Sequence, residues 1–217
     1  MIWRFRNRRD AGRQLAAKLE AYAGRSDVIV LALPRGGVPV GYEVAHALGV
    51  ALDVLTVRKL GVPHQPELAM GAIASGGAMF LNDNVMRAAG VRETALHAVE
   101  AQERDELERR EKLYRGARPA LEIRGKTVIV VDDGMATGAS MQAAVMALRS
   151  LQPARIVVAV PVAPAGAARR LDETADEFVC ALASVEFFAV GQFYRDFDQT
   201  TDAEVRRLLD EARKVSA

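Results

Sequence analysis

The sequence has little cysteine and little net charge, and each shortage excludes a class of protein. Cys180 is the only cysteine among 217 residues, so no disulfide can form within the chain. It lies in a strand-like run, where we expect a small core residue. Lys plus Arg number 29 and Asp plus Glu number 28, which gives a net charge of +1. This balance offers no reason to expect nucleic acid or a membrane surface as a partner.

Long apolar runs are also missing. The longest covers residues 156–168, is interrupted by Pro161 and Pro164, and is too short to span a bilayer. No apolar signal region follows the N-terminal arginines, which fit the solvated face of a first helix better than a transit peptide. We therefore expect a cytoplasmic protein. Half of the residues are hydrophobic, which suits a single α/β domain over residues 1–217.

Residues 128–140 carry the most informative pattern, V-I-V-V-D-D-G-M-A-T-G-A-S. The β-branched run at its start predicts a buried parallel strand. Asp132 and Asp133 follow at the point where the strand ends. Paired carboxylates would repel a phosphate, so their natural partners are sugar hydroxyls or a hydrated divalent cation.

The small residues after the carboxylates predict an anion-binding turn. Gly134 and Gly138 allow the backbone to turn sharply, so that N–H groups converge at the start of a helix. Thr137 and Ser140 add hydroxyl donors. A loop that binds phosphate beside acids that bind a diol or a metal implies a ribose 5-phosphate.

Three patterns that are widespread in α/β proteins share parts of this segment. An Asp at a strand end can simply cap the next helix, but the full combination is narrower than that common pattern. The phosphate loop G-x-x-x-x-G-K-[ST] is excluded because no lysine follows Gly138. A dinucleotide fingerprint is excluded because the acids precede the glycines.

Elsewhere the hydrophobic pattern alternates between strands and helices. Strands are predicted at about 28–33, 52–57, 128–131, 155–161 and 177–182, with a hairpin formed by 70–74 and 78–81. Helices are predicted at about 7–22, 38–48, 92–115, 139–151 and 165–171, and from 202 onward. This alternation indicates an α/β fold with a mostly parallel twisted sheet and helices on both faces. Ligands of such sheets bind at the carboxyl ends of strands.

Segment 128–140 resembles the 5-phosphoribosyl 1-pyrophosphate (PRPP) signature of the type I phosphoribosyltransferases. The resemblance implies that Asp132 and Asp133 bind the ribose 2′ and 3′ hydroxyls and that the loop binds the 5-phosphate. The implied loop residues are Gly134, Met135, Ala136, Thr137, Gly138, Ala139 and Ser140. Members that act on hypoxanthine or guanine carry an acid where this chain has Ala136, so the match is better with adenine-type and uracil-type members.

Residues 33–37, L-P-R-G-G, also follow a predicted strand and should open on the same edge of the sheet. A Gly-Gly pair allows unusual backbone geometry, and an arginine can donate two hydrogen bonds to phosphate. An ordinary turn with a surface arginine is the alternative. The family binds pyrophosphate in the loop after its first core strand, which implicates Arg35, Gly36 and Gly37.

Residues 58–67 contain one glycine and two prolines and are predicted to form a loop. The family places a mobile loop here, with basic residues that cover the pyrophosphate, which implicates Arg58 and Lys59. Lys59 is the stronger candidate, because positive charge must reach the leaving group as it departs. A solvated strand end is the alternative.

Residues 184–201 are rich in aromatic side chains, which are more often core than ligand platform. The family carries a variable hood over the nucleobase, and Phe193 and Tyr194 are the candidates for it. Together with R-G-G and R-K-L-G, this segment is similar to stand-alone bacterial phosphoribosyltransferase-domain proteins of unassigned substrate.

The resemblance implies transfer of a 5-phosphoribosyl group from PRPP to a nitrogen nucleophile, a nucleobase by preference. The implied catalytic residues are Asp132, Asp133, Arg35 and Lys59. Mg²⁺ is the implied cofactor, held chiefly through substrate oxygens and water, with the two acids as indirect ligands. A PRPP sensor without catalysis and a pyrophosphate-releasing hydrolase are the alternatives. The family often forms homodimers, for which helix 92–115 offers a surface, although its charge also suits a solvated cover.

Overall fold

The computed structural model describes residues 5–116, 119–120, 122–171 and 174–216. Its strands are β1 Val28–Ala32, β2 Ala51–Val54, β3 Val57–Val62, β4 Gln65–Ala74, β5 Ala78–Leu81, β6 Thr127–Val131, β7 Arg155–Pro164 and β8 Glu177–Ser184. Its α-helices are α1 Arg8–Ala16, α2 Gly37–Leu48, α3 Asp83–Ala88, α4 Glu93–Arg115, α5 Ala139–Arg149 and α6 Asp202–Ser216.

The main sheet has five parallel strands in the order β2-β1-β6-β7-β8. Every residue of β1 and β6 is buried, as expected for a parallel sheet that is covered on both faces. The predicted α/β class is therefore confirmed. Because the strands are parallel, the segments that follow β1 and β6 open on one edge.

The two faces of the sheet contribute to two separate cores. Val30 and Ile129 point to the face that is covered by α1, α2 and α6, where Leu15, Val44 and Leu208 pack against them. Their neighbours Ile29 and Val130 point to the opposite face, in a cluster with Val145 and Leu148 of α5. Alternation along each strand thus turns a continuous apolar run into two packed layers.

A second sheet corrects the loop that was predicted for residues 58–67. That segment belongs to β3 and β4, which pair antiparallel, and β5 completes a three-stranded sheet. The hairpin between β4 and β5 was predicted and is confirmed. The register between β3 and β4 is irregular on both sides of Gly61. A Cβ at Gly61 would lie 2.7 Å from the Pro66 carbonyl oxygen, so this close approach requires glycine.

Helix α4 covers the small sheet with one face and leaves its charged faces outside. Leu107 is buried in a cluster with Leu60 and Met70 of that sheet. At the C-terminal end of the helix, the Arg115 guanidinium donates to Asp53 in β2 at 3.0 Å. Both side chains are almost fully buried, and Arg115 also contacts Glu111 at 3.0 Å.

The N-terminal segment pairs with the chain that precedes α6. The Asn7 side chain caps α1 by accepting a hydrogen bond from the Asp10 N–H. The helix ends at Ala16, short of the predicted Tyr22, and a 3₁₀ turn follows at Glu20–Tyr22. Phe5 forms a parallel bridge with Tyr194.

The segment that follows β7 corrects a further helix prediction. The helix predicted at 165–171 is a single 3₁₀ turn, Ala167–Arg170. Across the described ranges, no helix combines the length and the apolar character needed to cross a membrane.

The Asp53–Arg115 pair provides a test of the packing between α4 and the main sheet. Asp53→Asn leaves a buried guanidinium with one carboxylate partner fewer, so we expect the free energy of unfolding to fall by roughly 3 kcal/mol. Arg109→Gln removes an exposed ion pair on the same helix and should have little effect. Urea unfolding followed by circular dichroism measures both, and equal midpoints for the two variants would contradict the prediction.

Candidate functional site

Two loops meet at the carboxyl edge of the main sheet. Ala32 is in register with Val131, and the Leu33 N–H donates to the Val131 carbonyl oxygen at 2.8 Å. A Cβ at Gly36 would lie 2.1 Å from Oδ2 of Asp133, and one at Gly37 would lie 2.7 Å from the Val131 oxygen. Both glycines are therefore required for the loops to touch, and the predicted proximity of segments 33–37 and 132–140 is observed.

The paired carboxylates are each engaged through one oxygen. Asp132 Oδ1 accepts the Asp133 N–H at 2.8 Å, and Asp133 Oδ2 accepts from Arg8 Nε at 2.8 Å. No hydrogen bond from the described residues reaches Asp132 Oδ2 or Asp133 Oδ1. Burial, followed by the charge of Asp133, raises the pKa of Asp132. Burial also raises the pKa of Asp133, although the hydrogen bond from Arg8 opposes the shift.

Arg8 belongs to the site, although its sequence context suggested a solvated helix face. Its side chain is only 12% exposed. Its Nη1 donates to the Asp198 carbonyl oxygen at 2.6 Å, and its guanidinium lies 3.9 Å from the centre of the Phe197 ring. Arg8 and Asp133 are separated by 125 positions, so no local pattern could have linked them.

The predicted phosphate loop leads into α5 as expected. Gly138 precedes the helix with a φ of 82°, a conformation that favours glycine. The Gln142 N–H donates to the Gly138 carbonyl oxygen at 2.8 Å. The base of the loop is held where the Met135 N–H donates to the Val162 oxygen at 2.9 Å. Four residues of the loop are exposed at the N-terminus of α5: Ala136, Thr137, Ala139 and Ser140.

Arg35 lies at the rim of this edge. Its peptide bond to Pro34 is cis, and its Nη1 lies 3.7 Å from Oδ1 of Asp202, the first residue of α6. Asp202 also accepts a hydrogen bond from the Tyr114 hydroxyl at 2.7 Å, and burial together with this bond raises the pKa of Tyr114 to about 12. The Arg35 side chain is 37% exposed and can reach a ligand.

Arg58 and Lys59 point to opposite faces of the small sheet, because neighbouring strand residues alternate. Arg58 Nε donates to Glu103 of α4 at 2.6 Å. Lys59 lines a cavity of about 170 Å³ that Ala139, the first residue of α5, also lines. The structure therefore brings Lys59 towards the phosphate loop, and it pairs Arg58 with α4 instead.

The two aromatic residues predicted to contact an acceptor lie inside the protein. Phe193 is 1% exposed and Tyr194 is 5% exposed, in a cluster with Phe5 and Val162. The Tyr194 hydroxyl donates to the Asp133 carbonyl oxygen, and burial raises its pKa. These positions favour a supporting role beneath the carboxylates over direct contact with a base.

A different aromatic ring is exposed in the same segment. Phe188 is 91% exposed. Gln192 holds the loop around it, because its side-chain oxygen accepts the Phe188 N–H at 2.8 Å and its amide donates to the Glu186 oxygen at 2.9 Å. Val190 of this loop lies against Gly134, where a Cβ would be 2.5 Å from Cγ1 of the valine. The loop therefore adjoins the base of the phosphate loop.

Fold and site together define a class: an α/β protein with a glycine-containing turn at a helix N-terminus beside paired carboxylates, at the carboxyl edge of a parallel sheet. A sequence profile of the phosphoribosyl transferase domain matches residues 2–197. The chain therefore belongs to the phosphoribosyl transferase domain family, as its signature indicated.

Relatives agree with this assignment. A presumed phosphoribosyl transferase of Mycobacterium tuberculosis, known from strains H37Rv (Rv0571c) and CDC 1551 (MT0597), is 48% identical over 210 residues. The alignment covers 97% of this chain and 47% of the relative, so the chain spans about half the length of the curated relatives it matches. The crystal structure of TT1426 from Thermus thermophilus superposes with a TM-score of 0.87 at 45% identity, and the match covers 96% of this chain and 98% of that one.

Gly36 offers a test of the contact between the two loops. The methyl group of Gly36→Ala would collide with the Asp133 carboxylate, so we expect destabilisation of about 1–3 kcal/mol and a displaced carboxylate. Gly49→Ala, at the other end of α2, meets no atom within 4 Å and only adds strain at a φ of 65°. Thermal unfolding and crystal structures of both variants measure the difference. An unmoved Asp133 in Gly36→Ala would show that the contact is not restrictive.

Proposed function

We propose that this protein transfers the 5-phosphoribosyl group of PRPP to a nitrogen atom of a nucleobase and releases pyrophosphate. Family membership supports phosphoribosyl transfer in general. The donor, the acceptor and the roles of single residues are the proposal.

The proposed transfer rests mainly on one observation about the two acids. Asp132 Oδ2 and Asp133 Oδ1 are the two carboxylate oxygens that no hydrogen bond from the described residues occupies, and they belong to adjacent residues. A vicinal diol offers two O–H donors on neighbouring carbons, and carboxylates accept such donors well. The exposed turn 136–140 at the N-terminus of α5 then receives the 5-phosphate of the same sugar.

Charge on the leaving-group side is supplied by Arg35 and Lys59. Arg35 reaches the rim from the loop after β1, and Lys59 approaches from the small sheet beside Ala139. Positive charge at this position stabilises pyrophosphate as it departs. Arg58, which pairs with Glu103, contributes to that side of the site by holding β3 against α4.

The residues present suit Mg²⁺ as an ion carried mainly by the substrate. Within the described ranges, no group of three His, Cys, Asp or Glu side chains could hold a metal ion. Because the proposed diol site uses the remaining oxygens of Asp132 and Asp133, these acids would hold the ion only indirectly, through substrate oxygens and water. When bound, the ion neutralises charge on the pyrophosphate.

In the reaction, the bond between C1 of the ribose and the pyrophosphate oxygen breaks. A bond from the acceptor nitrogen to C1 forms, and the acceptor releases a proton. Positive charge develops on the ribose ring in the transition state, beside Asp132 and Asp133. The protein contributes placement of the sugar and charge at both ends of the breaking bond.

The acceptor contact moves from the predicted pair, Phe193 and Tyr194, to Phe188. Its ring is exposed, its backbone N–H donates to Gln192, and Val190 of the same loop lies against Gly134 at the base of the phosphate loop. An aromatic face of this kind can stack on a planar base. Ala136, where an acid would serve a hypoxanthine or guanine nitrogen, favours other bases.

The test is pyrophosphate release from PRPP with Mg²⁺, measured with a panel of nucleobases and without any base. We expect release that depends on a base, with Phe188→Ala raising the acceptor KM at unchanged PRPP affinity. Release without any base would indicate a hydrolase. PRPP binding without release would indicate a sensor.

Asp133→Asn should weaken PRPP binding by about tenfold or more, because the amide replaces a charged acceptor with a weaker one. Calorimetry measures the dissociation constant, and the far-ultraviolet circular dichroism spectrum verifies the fold. An unchanged dissociation constant would remove the diol role from the proposal.

Lys59→Gln removes the charge that faces α5, so we expect weaker binding of PRPP and of free pyrophosphate by about tenfold. Arg58→Gln is the matched variant on the same strand, and we expect it to lower thermal stability more than affinity. Calorimetry and thermal unfolding of both variants provide the comparison. Equal losses of affinity would show that the two faces of β3 are not distinguished by the ligand.

A further inference from the structure

The orientation of Asp133 decides which of its oxygens remains without a hydrogen bond from the described residues. Its Oδ2 is held by Arg8 Nε at 2.8 Å, which leaves Oδ1 as the oxygen available to a ligand. Asp132 has a comparable constraint, since its Oδ1 accepts the Asp133 N–H at 2.8 Å. Asp132 is thus oriented by the adjacent backbone, whereas Asp133 is oriented by a side chain from α1.

Arg8 is itself fixed from two further directions. The Asp198 carbonyl oxygen accepts from Nη1 at 2.6 Å, and the Phe197 ring lies 3.9 Å from the guanidinium carbon. With 12% of its side chain exposed, Arg8 has little freedom to follow a ligand. A guanidinium that donates in a fixed plane constrains a carboxylate better than a flexible ammonium does.

The backbone around Arg8 is anchored as well. The Phe5 N–H donates to the Phe193 oxygen at 2.7 Å, and the Arg195 N–H donates to the Phe5 oxygen at 2.8 Å. The Asp196 N–H donates to the Arg6 oxygen at 3.0 Å. These bonds join the start of α1 to segment 193–198, so Arg8 and its two supports, Phe197 and Asp198, lie on one hydrogen-bonded unit.

From these contacts we infer that Arg8 is a positioning residue: it holds the Asp133 carboxylate in the orientation that binds one hydroxyl of the ribose diol. The inference rests on the proposed function, because it assigns a support to the diol site. On this inference Arg8 acts through Asp133. Its Nε donates to that carboxylate, its Nη1 donates to the Asp198 oxygen, and the guanidinium carbon lies 3.9 Å from the centre of the Phe197 ring.

The test is a double-mutant cycle of Arg8→Gln and Asp133→Asn, with PRPP and Mg²⁺ binding measured by calorimetry. We expect Arg8→Gln to weaken PRPP binding roughly tenfold, as loss of a group that orients a ligand-binding side chain does elsewhere. The double variant should bind no more weakly than Asp133→Asn alone, because Arg8 acts through Asp133.

Two controls separate positioning from a general structural effect. Inorganic phosphate needs only the loop 134–140, so Arg8→Gln should bind it as the parent protein does. Arg9→Gln removes the neighbouring arginine of α1, which pairs with Glu43 at 3.5 Å, and should leave PRPP affinity unchanged. If Arg8→Gln does not fold, Phe197→Leu removes the ring beneath an intact Arg8 and should weaken PRPP binding in the same direction.

The outcomes distinguish the role of Arg8 from the diol site itself. If Asp133→Asn leaves PRPP affinity unchanged, the diol site fails. If Asp133→Asn weakens binding and Arg8→Gln does not, only the role of Arg8 is overturned. Tighter PRPP binding by Arg8→Gln would also overturn it, since Arg8 would then compete with the sugar for Asp133.

Discussion

Parallel pairing of β1 with β6 is the constraint on which the site depends. The register runs from Val28 opposite Thr127 to Ala32 opposite Val131, so both strands end at the same level. The loop after β1 and the loop after β6 therefore leave the sheet side by side. Gly36 and Gly37 let these loops touch, because any side chain there would overlap the Asp132–Asp133 segment. A shift of one residue in this register would separate the two loops.

The burial of two adjacent carboxylates requires hydrogen-bond donors and positive charge in their surroundings. Burial next to a like charge raises the pKa of Asp132, and burying carboxylates without partners is costly. The Arg8 guanidinium donates a hydrogen bond to the Asp133 carboxylate, and the Asp133 N–H donates one to the Asp132 carboxylate. Each acid is thereby stabilised through one oxygen, and no hydrogen bond from the described residues reaches the other. Backbone hydrogen bonds join segments 5–8 and 193–198, which together hold Arg8 in place. Phe193 and Tyr194 are buried where these two segments pack against each other.

The errors of sequence-based prediction in this chain share a physical cause. One glycine and two prolines predicted a loop at residues 58–67, yet Pro63 lies between β3 and β4, where no ladder hydrogen bond is lost. Arg58 was expected to face pyrophosphate, and strand alternation instead turned it to Glu103. The aromatic residues after β8 suggested a hood, but composition alone could not separate the buried Phe193 from the exposed Phe188. Each error concerns which face of a segment is covered.

Local pattern was sufficient for the alternation of strands and helices, the turn at Gly138, and the order of acids before glycines in segment 128–140. These features depend on backbone conformation and hydrophobic period, both of which operate within a few residues. Tertiary structure alone decided that Arg8 meets Asp133, that Asp202 lies beside both Arg35 and Tyr114, and that Lys59 lines the same cavity as Ala139. Such contacts join residues far apart in the chain, and they form only when the strand order brings their elements together.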